Sequence, residues 1–161
     1  MSKLINRTVP LSPEEIAEFF EASSDSKGFL KYRLLLLRSG KEGAGGLVAS
    51  LVACRMFIQF LGLKLEKKEL YLEENRSYFN SSGRSDEVKV INLGGKFVYL
   101  HELKAEEKDL LAAAYHGANR ATGHLTFGAE DSFDASRLPK VVDLICRLLK
   151  GHLYDVVGRE M

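Results

Sequence analysis

One apolar stretch, from Leu47 to Leu63, constrains the fold most. Its side chains are hydrophobic on nearly every side, and only Arg55 and Gln59 interrupt them. A helix of this kind is packed on several sides, and the stretch is short for a bilayer span. It therefore predicts a buried central helix. Because Arg55 and Gln59 are four residues apart, they share one narrow polar stripe. We interpret this stripe as a solvent-facing edge, and the alternative is an arginine directed into a polar pocket.

Helical periodicity recurs on both sides of this stretch. Ser12-Pro13-Glu14-Glu15 contains an S-x-x-E capping box with proline at the first position, which predicts a helix that ends near residues 23–25. Two further helices are expected, one over residues 29–38 and one over the charge-dense residues 64–79.

Two longer amphipathic helices are expected over residues 105–125 and 138–157, where apolar side chains recur at helical spacing. A connection of about twelve residues joins them, and short connections favour antiparallel neighbours. We therefore expect these helices to form an antiparallel pair at the centre of the fold. We also expect His124 and His152 to lie nearer each other than either lies to His101.

β-structure is predicted at one place. Residues 87–93 and 96–100 are rich in β-branched and aromatic side chains, and Gly94-Gly95 joins them as a two-residue connection of the kind that primed turns use. We expect a β-hairpin over about residues 87–100. With five or six helices it gives a mainly α, helix-rich α+β fold, and 161 residues suit a single domain, residues 1–161.

Charge and cysteine content bear on the class of protein. The formal net charge is +1, from 23 Lys and Arg against 22 Asp and Glu, so the whole chain lacks the positive excess typical of proteins that bind a phosphate backbone. The two cysteines lie in apolar helical stretches and form no CxxC motif. The first fifteen residues lack the apolar core of a signal peptide. These features predict a cytoplasmic protein with no membrane partner.

The helix predicted at residues 105–125 carries the candidate chemistry. His116, Arg120 and His124 follow one another at intervals of four, and Asn119 lies beside them, so they line one side of the helix. An arginine can hold an anion while an imidazole moves a proton, and His116 and Asn119 can bind a ligand or partner. The same stripe is also typical of a solvated or partner-facing helix. The two histidines lie roughly 12 Å apart along the axis, so they cannot share a metal ion, and no metal or cofactor is predicted.

The segment Asn119-Arg120-Ala121-Thr122-Gly123-His124 resembles the motif of the HEPN superfamily. Members of that superfamily are small helical, commonly dimeric proteins, and many are ribonucleases of toxin–antitoxin and defence systems. Their motif is an arginine, usually followed by a polar residue, and then a histidine after four to six intervening residues. Here three residues separate Arg120 from His124, and the polar residue precedes the arginine. The resemblance implies metal-independent RNA cleavage, in which Arg120 holds the phosphate and His124 is the general acid or base.

Two functions follow from these observations. Small residues are dense in the helix at 105–125 and would let a neighbouring backbone approach closely, and no strong catalytic motif is present. We therefore predict a non-catalytic binding or assembly protein that acts as a homo-oligomer or with a protein partner. The alternative is the HEPN-like ribonuclease with Arg120 and His124, for which RNA would be the partner. Whether the protein is an enzyme stays open. The small residues are Ala112, Ala113, Ala114, Gly117, Ala118, Ala121 and Gly123.

Overall fold

The computed structural model describes residues 11–21, 30–39, 46–66, 71–74, 88–123 and 133–161. Within these ranges the chain forms five α-helices and one two-stranded antiparallel hairpin, which confirms the helix-rich α+β fold. The helices are α1 (Pro13–Glu21), α2 (Leu30–Ser39), α3 (Leu47–Phe60), α4 (Ala105–Gly123) and α5 (Leu138–Leu149). α5 continues as a π-helical turn (Lys150–Tyr154) and a last α-helical turn (Asp155–Val157). The strands are β1 (Leu63–Leu65) and β2 (Leu72–Glu74).

The helix boundaries follow the local signals in the sequence. At the start of α1 the Ser12 hydroxyl accepts a hydrogen bond from the Glu15 backbone N–H at 3.2 Å, and the Glu15 carboxylate accepts one from the Ser12 N–H at 2.9 Å. This is the predicted capping box, which satisfies two N–H groups that a helix leaves unpaired. The predicted second helix is confirmed as α2, one residue later than expected at each end.

α3 has the central place in the fold. It packs against α2, α4, α5 and β1, and six of its residues are buried. The prediction that this apolar stretch forms a buried central helix is therefore confirmed. None of the helices in the described ranges is long and apolar enough to cross a membrane.

The hairpin lies elsewhere than predicted. β1 and β2 pair with Leu63 opposite Glu74 and Leu65 opposite Leu72, within the segment where we expected a helix. Leu63, Leu65 and Leu72 are buried, whereas Lys64 and Glu73 lie partly exposed and form an ion pair at 3.2 Å. Burial thus alternates with the period of two that a strand requires. The prediction of a helix over residues 64–79 is wrong for residues 64–66 and 71–74, and its other residues lie outside the described ranges.

Of the residues predicted as a hairpin, 87–100, the structure describes 88–100, which form a 3-10 turn at Val90–Leu93 followed by an extended segment. Gly94 has a φ of 87° and ends this turn instead of joining two strands. Val98 in the extended segment donates its N–H to the Leu61 carbonyl at 3.1 Å. Val90 and Val98 are fully buried. The β-branched side chains therefore pack in the core without strand pairing, and the prediction of a hairpin at this position is wrong.

The extended segment docks on the π-helical turn. The His152 carbonyl accepts a hydrogen bond from the Lys96 N–H at 2.8 Å. Gly95 makes this approach feasible, because a Cβ at that position would lie 2.6 Å from the His152 carbonyl oxygen. His152 itself is half-buried and makes this contact through its backbone.

α4 and α5 pack together, but not as the antiparallel pair that we predicted at the centre of the fold. Arg137 and Arg147, ten residues and about 15 Å apart along the chain, pair with Asp109 and Glu107 in the first turns of α4. α5 therefore starts beside the beginning of α4 and crosses it. The cause is the chain before α5, which already lies against the middle of α4 at residue 133. His124 lies outside the described residues, so the predicted order of histidine distances stays a prediction.

Candidate functional site

Two side chains of α4, Asn119 and Tyr115, are hydrogen-bonded to α3. The Oδ1 atom of Asn119 accepts a hydrogen bond from Arg55 Nη1 at 3.0 Å. One turn earlier, the Tyr115 hydroxyl accepts from Gln59 Nε2 at 2.8 Å. The two α3 residues are four positions apart, and so are their two partners on α4. Both pairs therefore face each other across antiparallel helices. The interpretation of Arg55 and Gln59 as a solvent-facing edge is therefore wrong, because both side chains are half-buried and hydrogen-bonded to α4. For the alternative, an arginine directed into a polar pocket, the structure shows only the hydrogen bond from Arg55 to Asn119.

The other predicted site residues differ in their surroundings. His116 is half-buried and Arg120 is exposed, and no hydrogen bond or ion pair joins either side chain to another described residue. His124 lies outside the described residues. Asn119, which we expected to bind a ligand, is engaged by α3. In the part of the chain that the structure describes, no three metal-ligating side chains cluster.

A concave surface lies elsewhere, between α1, α2 and the residues that follow α5. This α1–α2 groove is open to solvent and has a volume of about 850 Å³, within the roughly 300–1,000 Å³ of pockets that bind small molecules. It is lined by Phe20, Glu21, Lys31, Leu34, Leu35, Arg38, Tyr154, Arg159, Glu160 and Met161.

An apolar surface runs along the groove. Phe20 and Leu34 are buried, whereas Leu35 is 54% exposed and Met161 is 43% exposed. Leu34 and Leu35 lie between Lys31 and Arg38 on α2, and this spacing of three, four and seven residues keeps all four on one face. A hydrophobic strip with a cation at each end therefore forms one wall of the groove.

Arg159 forms part of the opposite wall. Its guanidinium lies 4.6 Å from the centre of the Phe20 ring and 3.2 Å from the Glu21 carboxylate. Gly158, with a φ of 71°, reverses the chain after the last helical turn, and the Arg159 N–H then donates to the Tyr154 carbonyl at 2.9 Å. The turn places Arg159 beside Tyr154, at the inner end of the groove.

Tyr154 is the most unusual residue of the groove. It is 5% exposed, and its ring packs edge-on against Phe20 with the ring centres 5.5 Å apart. No hydrogen bond joins its hydroxyl to another described residue, although buried tyrosine hydroxyls normally have a partner. Desolvation raises the pKa of Tyr154 to about 12, against the opposing effect of the nearby Arg38 charge. The hydroxyl therefore stays protonated at neutral pH.

Sequence reasoning missed this groove. The spacing of Lys31, Leu34, Leu35 and Arg38 is a signal that could have pointed to it, because it places cations at both ends of an apolar helical strip. No local signal could show that the residues after α5 also line the groove, since more than a hundred positions separate them from α2.

Comparison with protein-family models, curated proteins and solved structures gave no match for this chain. In the described part of the chain, the α1–α2 groove and the face of α4 that carries His116 and Arg120 are two candidate sites.

Proposed function

We propose that the protein is a ligand-binding protein whose ligand occupies the α1–α2 groove. The observation that carries this proposal is the groove itself, which is open to solvent and has a volume of about 850 Å³, within the range of pockets that bind small molecules. Its walls combine the exposed apolar side chains of Leu35 and Met161 with the cations of Lys31 and Arg38.

The exposed apolar side chains of the groove support the same proposal. Leu35 and Met161 leave hydrophobic surface in contact with water, and burial of such surface contributes roughly 25 cal/mol per Å². An apolar ligand would therefore gain free energy along the wall that α2 provides.

A neutral fluorescent probe tests whether the groove binds ligands at all. Titration with Nile red is expected to give saturable binding of one probe per chain. Leu35→Asp places a carboxylate on the apolar wall and should abolish this binding. Val48→Asp is the matched control, because Val48 lies on α3 outside the groove and is 53% exposed, close to the 54% of Leu35. Equal binding by both variants, or no saturable binding by the unmodified protein, would contradict the proposal.

The homo-oligomer predicted from the small residues of α4 stays a prediction, as does the cytoplasmic location. Ala114 and Ala118 are fully buried, and a Cβ on Gly117 would lie 3.0 Å from the Phe133 side chain. These three residues therefore have neighbours within the chain. Light scattering over a range of concentrations tests the oligomer, and a mass that stays at 18.0 kDa would count against it.

A metal-independent ribonuclease is the second candidate function, with Arg120 binding phosphate and His124 as general acid or base. The exposed position of Arg120, one turn after the half-buried His116, favours it. Total cellular RNA incubated with the protein in the presence of a chelator should be cleaved, and both Arg120→Ala and His124→Ala should lose the activity. Lys140→Ala, which removes an exposed cation from α5, is the control. Undiminished cleavage by either site variant would contradict this function.

A further inference from the structure

The inner end of the α1–α2 groove carries a cation site that the chain itself fills. The Arg159 guanidinium lies 4.6 Å from the centre of the Phe20 ring and 3.2 Å from the Glu21 carboxylate. An aromatic face and a carboxylate are both groups that proteins use to bind cations. All three side chains line the groove, so this site is continuous with the space that a ligand would occupy.

The groups that receive the guanidinium are held independently of Arg159. Phe20 is buried, and its ring packs edge-on against Tyr154 with the ring centres 5.5 Å apart. Glu21 follows Phe20 directly and is the last residue of α1. The ring and the carboxylate should therefore keep their positions when the guanidinium leaves, which makes them a preformed site.

The guanidinium itself is weakly held. The side chains of Arg159 and Glu21 are 35% and 68% exposed, and ion pairs with such exposure contribute little stability. A cation–π contact at an exposed site also contributes modestly. The backbone turn depends on neither contact, because Gly158 has a positive φ and the Arg159 N–H donates to the Tyr154 carbonyl. The guanidinium can therefore leave by rotation of its own side chain.

We propose that Phe20 and Glu21 form a subsite for an organic cation, and that Arg159 is an internal competitor for it. A ligand with a cationic head group and an apolar chain would displace the Arg159 guanidinium and place its chain toward Leu35 and Met161, the exposed apolar side chains of the groove.

The exchange of one cation for another suits the other charges of the groove. Glu21 keeps a partner when a ligand cation replaces the guanidinium. Lys31 and Arg38, the cations on the α2 wall, already coexist with the Arg159 charge, so a ligand cation at the same place adds no new charge beside them. The inference rests on the proposed function, because the groove must be a ligand site. It adds the class of ligand and a competitor that lowers its affinity.

Displacement of Nile red by two eight-carbon compounds tests the inference. Octylguanidinium carries a cation and octanol does not, so the ratio of their affinities isolates the head group. Arg159→Ala removes the competitor, and octylguanidinium should gain about five- to tenfold relative to octanol. Lys31→Ala is the matched control, because it removes an exposed cation of the groove outside the subsite. It should change the ratio by less than about twofold.

Glu21→Gln locates the gain. Combined with Arg159→Ala, it should weaken octylguanidinium about threefold and leave octanol unchanged. Methylguanidinium gives a readout that needs neither Nile red nor an apolar chain. At about 20 mM it should raise the Tm of Arg159→Ala by about 1–2 °C, and it should not raise the Tm of the double variant.

The outcomes separate the ligand class from the function. If Arg159→Ala leaves the ratio unchanged, or if Lys31→Ala raises it as much, the inference is wrong but the groove remains a ligand site. If the double variant keeps the gain, the cation binds away from Glu21 and the inferred subsite is wrong. If Nile red does not bind, the proposed function fails, and the methylguanidinium shift still decides whether Phe20 and Glu21 bind a cation.

Discussion

Replacement of Tyr154 by phenylalanine separates the role of its hydroxyl from that of its ring. The substitution removes one oxygen and keeps the ring, including the edge-on contact with Phe20 at 5.5 Å between ring centres. A buried hydroxyl without a partner costs about 1–3 kcal/mol. We therefore expect the free energy of unfolding of the ligand-free protein to rise by about 1 kcal/mol, or the Tm by about 2–4 °C for a chain of this size.

Tyr115→Phe is the matched control for this substitution. Tyr115 is also buried, but its hydroxyl accepts a hydrogen bond from Gln59 at 2.8 Å. Its loss should destabilise the protein by about 0.5–1.5 kcal/mol, opposite in sign to the effect at Tyr154. Urea unfolding followed by circular dichroism at pH 7.5 measures both. If Tyr154→Phe destabilises the ligand-free protein as much as Tyr115→Phe does, the Tyr154 hydroxyl has a partner within the protein, and the account of it as a desolvated hydroxyl is refuted.

Two further predictions concern the core. Gly95→Ala should lower the free energy of unfolding by about 3 kcal/mol, because its Cβ would lie 2.6 Å from the His152 carbonyl oxygen. Gly151→Ala is the control: nothing lies within 4 Å of its Cβ, so it should raise the free energy of unfolding by about 0.5–1 kcal/mol. Equal effects of the two variants in urea unfolding would contradict this prediction. Burial raises the pKa of the Cys54 thiol from 9.0 to about 12, so its stabilising effect is complete below pH 9 and is lost as pH rises toward 12; at pH 10.5 this loss is about 2 kcal/mol. Urea unfolding at pH 8 and 10.5 should show that Cys54→Ala removes that part of the loss and that Cys146→Ala keeps most of it, and an unchanged pH dependence in Cys54→Ala would argue against a buried neutral thiol.

The helices were largely predictable from the sequence because their signals are local. The capping box at Ser12 and the apolar spacing over residues 138–157 fixed where helices begin and which faces they bury. The position of the hairpin was not predictable in this way. Val90 and Val98 have the β-branched side chains of strands, yet they are buried without strand pairing. The true strands are three residues each, too short for their alternation to stand out in a charge-dense segment.

The candidate site was less predictable than the fold. The polar stripe on α4 was visible in the sequence, but only the structure shows that Asn119 is engaged by Arg55. The α1–α2 groove combines Arg38 with Tyr154 and Arg159, which are far apart in the chain. Their proximity depends on how α1, α2 and the π-helical turn pack, and a local pattern carries no information about that packing.

A crystal structure of the protein with Nile red tests the central claim, a ligand site in the α1–α2 groove, most directly. It should show one probe molecule in the groove, against the exposed side chains of Leu35 and Met161. Crystals soaked at saturating Nile red that leave the groove empty, or that hold the probe elsewhere, would contradict it.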